Sequence, residues 1–410
     1  FETLSRFRLG TAAFRQTWTP AGIGRAHFDG LGPLYNAPSC ESCHVNDGRG
    51  RPTGEGGAPY GSASMILKLS NPTTDGGGDP VYGRQLQDLA IAGLKAEGRI
   101  RIDYEPSTFT FADGARAHLR TPRVSIADPA YGPLDPQTRL QPRIAPPMIG
   151  LGLIARIAPA DIMANADPDD RDGDGISGRA SLIAGDGPPR LGRFGWKADQ
   201  PDLDGQIAIA LTRDMGISSK AHPSGFGDCT PAQQLCRRAP DGNSARFDNR
   251  EAHRVIRDWL LAYSENLEVP PPRKADDPEI AAGEALFYRL GCEACHRASF
   301  VTAPSLDAPH LAGREIAPYS DFLLHDMGPG LADGAAAPQA EAGEWRTAPL
   351  WGIGLTHEVN GNMAFLHDGR ARSLTEAVLW HGGEAAASRD AFAALKSAER
   401  DGLIAFLEAL

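Results

Sequence analysis

The chain has no run of about eighteen apolar residues, so no transmembrane helix is expected. Basic residues are in deficit: 41 Lys and Arg stand against 52 Asp and Glu, a net charge of −11. Nucleic acid and anionic membranes are held by basic patches, so both are excluded as expected partners. Aromatic residues make up only 7% of the chain. Runs in which Val, Ile or Thr alternate with polar residues are few, which argues against a sheet-based fold. No basic-then-apolar leader precedes Phe1, so export is not readable from the N-terminus.

What is abundant is glycine (47) and proline (33), in 410 residues that allow two or three domains with a substantial core. The segment "EVPPPRKADDPE", 268–279, holds four prolines among charges and reads as a stiff exposed linker. It separates an N-terminal domain, 1–267, from a C-terminal domain, 280–410. Before it, "REAHRVIRDWLLAYSENL" carries helical periodicity through Val255, Ile256, Trp259, Leu260 and Tyr263. After it, "PEIAAGEALFYRLG" predicts a short helix that Gly291 can stop. "SLTEAVLWHGG" opens with a capping box, Ser373 and Glu376, and leaves His381 at its end. "AERDGLIAFLEAL" puts Leu403, Ile404, Leu407 and Leu410 on one face. Residues 45–190 show little long periodicity and read as a loop-rich insertion. The expected fold is mainly α: two cytochrome c-like haem domains, the first enlarged by that insertion.

The six cysteines are distributed tellingly. "APSCESCHVNDGRGRP" contains Cys40, Cys43 and His44 as C-x-x-C-H, and "LGCEACHRAS" repeats the pattern with Cys292, Cys295 and His296. From six Cys and eleven His in 410 residues, one such pattern arises by chance about 0.002 times. Zinc wants four ligands in a closed tetrahedron, whereas each unit offers three, two of them adjacent. A thioredoxin-like pair wants a βαβ setting, which is missing. Cysteines three apart share one side of a helical turn. Both can then form thioethers to one porphyrin while the next residue, His, presents a nitrogen to the iron. Two covalent haem c groups are therefore expected, with His44 and His296 as proximal iron ligands. The remaining pair, Cys229 and Cys236 in "DCTPAQQLC", reads as a small-loop disulfide and an oxidising compartment, or else as two buried thiols. Asp170, Asp172 and Asp174, in "DPDDRDGDGISGRAS", alternate before Gly175 as in a calcium loop. The bidentate Glu of such loops is missing, and a solvated acidic turn is the alternative.

Long motifs also carry a resemblance. "RTAPLWGIGLT" and "FLHDGRARSLTEAV" are similar to the C-terminal domain of bacterial di-haem cytochrome c peroxidases and MauG-type enzymes. "DGLGPLYNAPSCESCHVNDGRGRP", "APPMIGLGLI", "FGWKADQPDLDGQIA" and "LLHDMGPGLADG" resemble the di-haem oxidoreductase-like family, often labelled thiol oxidoreductases. The resemblance covers nearly the whole chain. It implies a distal ligand for the electron-transfer haem at the end of "LTEAVLWHGG", where this sequence has His381 in place of methionine. Met327, in "LLHDMG", is the competing ligand, and Met raises haem potential. The resemblance places His367 beside a haem, with His325 similar to it or simply a satisfied histidine. It places Trp196, in "GRFGWKA", between the haems and Asp214, in "LTRDMGI", as the catalytic acid. Asp214 is one methylene shorter than the family's Glu; Trp196 as core aromatic and Asp214 as exposed helix-end acid are the plain alternatives. No His lies within about 60 residues after His44, and Met65 and His222 are weak candidates, so the first iron is expected open or water-ligated. The implied function is a periplasmic di-haem oxidoreductase of peroxidase-like type, working with a redox partner protein or a small oxidant such as peroxide. The alternatives are a non-enzymatic electron-transfer cytochrome and a MauG-like oxidase of a protein side chain. No cysteine is left for thiol exchange once four bind haem and two pair.

Covalent attachment has a direct check. Intact-mass measurement on the denatured protein is expected to exceed the polypeptide mass by two haems; an excess of one haem, or none, removes the reading of both C-x-x-C-H units.

Overall fold

The computed structural model describes residues 2–23, 27–53, 64–75, 77–274, 276–334 and 339–410. Its chain divides into two compact units. The first comprises Phe1–Tyr104, Pro122–Met148 and Leu203–Asn266; the second comprises Glu105–Thr121, Ile149–Asp202 and Leu267–Leu410. The units are not contiguous in sequence: residues 105–121 and 149–202, which precede the proline-rich linker, pack within the second. Of that linker, Ala275 lies outside the described residues. None of the described helices is long and apolar enough to cross a membrane.

The first unit is framed by α1 (Glu2–Arg15) packed on α4 (Arg254–Glu265). On α4, Ile256, Leu260 and Tyr263 are buried, the i, i+4, i+7 stripe that the periodicity predicts. Gly10 sits at the contact, where a Cβ would come within 2.2 Å of the Trp259 carbonyl oxygen. Tyr263 fills the contact against Phe7 and Phe14, ring centres 5.2 and 4.9 Å away. Between these helices in sequence come α2 (Cys40–Cys43), the antiparallel pair β1 (Met65–Ser70) and β4 (Arg139–Ile144), and α3 (Leu203–Met215).

The second unit repeats the device. Helix α5 (Pro278–Arg289) is capped by Asp277, whose carboxylate accepts the Glu279 N–H, and starts on Pro278. It packs on α8 (Ser397–Ala409). Gly283 sits at this crossing, a Cβ there lying 2.1 Å from the Gly402 oxygen. Phe406 meets Phe287 and Tyr319 with ring centres 5.5 and 5.8 Å apart. Helix α6 (Leu374–Leu379) is capped by Ser373, which accepts the Glu376 N–H at 3.1 Å. The other half of the expected capping box is rerouted: Glu376 accepts from the Arg372 N–H.

The expectation of a mainly α chain is overturned. Helix occupies 31% and strand 18%, the strands lying in seven two-stranded sheets among the described residues. The largest correction is the hairpin of β2 (Arg99–Thr110) and β3 (Arg116–Ala127). "RIRIDY" alternates, with Ile100 and Ile102 buried beneath exposed Arg99, Arg101 and Asp103, and Asp113–Gly114 make the turn. Beyond Tyr104 the first strand is largely exposed, while the second alternates exposed with half-buried residues, and Phe109, Ala117 and Leu119 pack against the apolar core of the second unit. In the second unit, the hairpin end plants Phe111 against Phe392 and sets Asp113 2.6 Å from Arg400.

Cys229 and Cys236 form a disulfide with Cα atoms 6.3 Å apart. Within its loop, Gln233 donates through Nε2 to Glu97, a carboxyl 1% exposed that also accepts the Gln87 N–H. Burial pushes Glu97 up to about 8, against the two hydrogen bonds.

Two outcomes test this frame. Gly283→Ala gains about 1 kcal/mol of helix propensity. It overlaps a backbone oxygen that cannot swing aside, a clash of the overpacking kind that costs about 1–3 kcal/mol. A lower melting temperature is expected, and one equal to or above the parent's refutes the close crossing. For Glu97, a folded-state value raised above the unfolded one stabilises below about 4.5, and that stability is lost as pH rises to about 8. Denaturant titrations across this window should show the parent losing stability relative to Glu97→Gln as pH rises; parallel curves refute the buried acid.

Candidate functional site

The first C-x-x-C-H stands at the start of a single helical turn. Ser39 caps it, its Oγ accepting the Ser42 N–H at 3.2 Å, and the His44 N–H closes on the Cys40 carbonyl at 3.0 Å. Cys40 and Cys43 share one side of α2 as their spacing predicts. Burial, then the Asp214 carboxyl, pushes the Cys40 thiol up to about 12, and Cys43 is raised by the same causes. The His44 Nδ1–H donates to the Pro146 carbonyl at 2.9 Å, which leaves Nε2 as the bare ring nitrogen. Burial lowers His44 to about 4, so the ring is neutral. Cys40, Cys43, His44 and Asp214 are half-buried, and the Asp214 carboxyl is close enough to act electrostatically on both thiols.

Asp214 is the penultimate residue of α3. Burial raises its carboxyl above the ordinary range, opposed by a hydrogen bond from Gln85 Nε2 at 2.7 Å and by Lys68 and Arg213. The same Gln85 amide reaches Asn36 Oδ1 at 2.8 Å, and Asn36 Nδ2 donates to Asp88 at 2.9 Å. Burial pushes Asp88 up to about 6. Gln85 reaches Asp214 across 129 residues, Asn36 reaches Gln85 across 49 and Asp88 across 52, and nothing in their local sequence marks them. Met65 lies in β1 within 3.9 Å of Thr53 Oγ1, and His222 takes a turn bond to Ser219. Neither has a contact that brings it to His44.

The second centre lies wholly in the second unit. Gly291, in the left-handed region at φ 74°, ends α5 and turns the chain into Cys292–Ala294. His296 Nδ1–H donates to the Tyr319 carbonyl at 2.9 Å. His381, after α6, donates Nδ1–H to the Ala377 carbonyl at 2.8 Å. The two rings face each other with centres 6.4 Å apart at 45°. With metal–nitrogen bonds of about 2 Å, trans imidazoles on one ion set their ring centres about 6 Å apart. Met327 is half-buried, its N–H bonded to Gly343, and no contact joins it to His296. Trp380, next to His381, has a buried Nε1–H without a hydrogen-bond partner, a position that suits a carboxylate-bearing group. The donor set of both centres fits haem: paired thiols, then an imidazole oriented through Nδ1.

The other expected residues are dispersed. His367 stacks flat on Trp345 at 3.7 Å, with Asp368 3.7 Å from Nε2. Trp196 belongs to the second unit, half-buried in a turn, its carbonyl accepting the Arg346 N–H at 3.0 Å. Asp214 belongs to the first. One ligand oxygen each from Asp170, Asp172 and Asp174 fall within 4.8 Å of one another, in an exposed loop whose own N–H groups they accept.

A family model described as "Di-haem oxidoreductase, putative peroxidase" matches residues 82–410. No curated protein matches. Among solved structures, hydrazine synthase of Kuenenia stuttgartiensis, pressurised with xenon, is similar over 64% of this chain and 88% of that chain, at 15% identity and a TM-score of 0.26. That score is too low to carry an argument.

Proposed function

The chain belongs to the di-haem oxidoreductase family, and on that premise we propose an exported c-type enzyme of peroxidase-like type that divides its labour between two unlike haem centres. The observation that carries this is the facing of His296 and His381 at 6.4 Å, each with Nδ1–H spent on a carbonyl. A haem held by His296 and His381 together would suit electron transfer, whereas one held by a single imidazole would leave room for catalysis. In the first unit His44 is the matching imidazole, and the group near its cysteines is a carboxyl, Asp214. The disulfide supports export to an oxidising compartment.

A bound haem supplies the redox chemistry at each centre. The chain's own residues do the rest. Cys40 and Cys43 anchor the first group, Cys292 and Cys295 the second. Asp214 moves a proton: it takes one from the attacking peroxide oxygen and returns it to the departing one, as general base and then general acid. Burial raises this carboxyl above the ordinary range, which favours its protonated form, and Gln85 leaves Oδ2 as the oxygen free to carry the proton, since Oδ1 is engaged. The Asp170, Asp172 and Asp174 loop is a candidate calcium site, with oxygen ligands of the hard type that ion prefers.

The test combines two variants. Asp214→Asn is expected to slow reaction with peroxide by about 10²-fold or more, the scale of a lost acid–base group, with both resting electron paramagnetic resonance signals unchanged. His381→Ala is expected to turn the low-spin signal high-spin, and His381→Met to keep it low-spin at higher potential. Parent-rate reaction in Asp214→Asn, together with two low-spin signals in His381→Ala, replaces the enzyme by an electron carrier.

A further inference from the structure

His325 lies on the short strand Leu324–Asp326, 2% exposed, and both its ring nitrogens meet carboxylates. Nε2 is 2.8 Å from Asp321 Oδ2, and Nδ1 is 2.7 Å from Glu384 Oε2. Glu384 accepts from every side: the Ser177 N–H, the Ser177 hydroxyl and the Asp326 N–H, each at 3.0 Å. Asp321 Oδ1 accepts the Leu323 N–H at 3.0 Å. Both carboxylates act as acceptors, so both ring nitrogens must donate, and only an imidazolium has two N–H groups. Burial opposes this charge, but the bonds to Asp321, Cys295 and Glu384 outweigh it and hold His325 up to about 12. Gly178 makes room for the ring, since a Cβ there would lie 2.7 Å from its Cε1. The same nitrogen, Nδ1, is 3.5 Å from Cys295 Sγ, one of the two sulfurs that would attach a haem at the second centre.

We propose that His325 is a positioning residue for electron transfer, a fixed positive charge clamped against Cys295 that raises the reduction potential of the second centre. The proposal rests on the reading that Cys292, Cys295, His296 and His381 hold a haem there. The physics is Coulombic: the oxidised iron carries one more positive charge than the reduced one, so a buried cation favours reduction and a buried carboxylate opposes it. Asp321 and Glu384 offset the cost of burying the imidazolium. Asp321 sits across the ring on Nε2, whereas Glu384 shares Nδ1 with the Cys295 side, so the ring's positive charge and the Glu384 negative charge act on the second centre with opposite signs. This offsets part of what His381 costs in potential where a methionine would have raised it.

The experiment is optical redox titration of the full-length holoprotein, with electron paramagnetic resonance to confirm axial ligation. His325→Gln, which loses the positive charge, is expected to shift the oxidised-to-reduced ratio of the second centre at a fixed ambient potential about tenfold toward oxidised. Glu384→Gln, which loses a negative charge and keeps the acceptor, is expected to shift it the other way. Opposite signs are the signature of charge, since simple loosening of the site moves both variants alike. Shifts in the same direction, or none beyond about twofold, overturn the proposal while leaving the ligation reading in place. Should His325→Gln fail to fold with two buried carboxylates uncompensated, Glu384→Gln decides alone: an unchanged potential refutes the fixed charge. A parent without a low-spin second centre overturns the ligation reading and this proposal with it.

Discussion

His44, His296 and His381 each give Nδ1–H to a main-chain carbonyl, from Pro146, Tyr319 and Ala377 respectively. That one hydrogen bond decides the tautomer, points Nε2 away from the bond and keeps the ring from turning. The acceptors differ in origin. Ala377 is a helical turn away from its histidine, Tyr319 lies 23 residues on, and Pro146 lies 102 residues on. The loop-rich segment after the first C-x-x-C-H therefore has a positional duty: it returns a carbonyl to His44. Much of the architecture follows from having to deliver these three oxygens.

The frame that holds the proximal histidines is the same in both units. A helix before each C-x-x-C-H crosses the last helix of its unit at a glycine, Gly10 against Trp259 and Gly283 against Gly402. Without a Cβ the backbones meet, and the aromatic rings that flank the crossing reach the histidines: Phe14 lies 6.2 Å from His44, and Phe287 lies 6.4 Å from His296. Around this shared frame the electrostatics part company. The first unit's centre has Asp214 and Asp88, both raised by burial and linked by amides. The second has a compensated cluster of Asp321, His325 and Glu384. One set suits proton movement, the other a constant field.

Legibility in the sequence follows interaction range. The turn at Cys40, the capped helix ending at His381 and the buried stripes of Ile256, Leu260 and Tyr263 rest on contacts within a few residues, which local pattern records. The β2–β3 hairpin was legible only at its base, where Ile100 and Ile102 alternate with charges. In its outer half the apolar residues are few, and Phe109, Ala117 and Leu119 gain their partial burial from packing on distant residues, which no local pattern records. The rerouted cap of α6 was not legible either, because Glu376 can reach the Ser373 or the Arg372 N–H and tertiary packing chooses.

By itself the sequence determined the chemistry on offer: two C-x-x-C-H units, a third histidine at a helix end, and a pair of cysteines close enough to join. It did so because thioether attachment, capping and short-loop pairing are set by covalent spacing. Tertiary structure decided what surrounds them. Only folding sets His381 opposite His296, ties Asp214 to Gln85 and Asn36, and turns His325 into a cation by bringing Glu384 to it from 59 residues away. Charge state and facing geometry depend on which distant groups share a low-dielectric space, and that is not a property of any local stretch of chain.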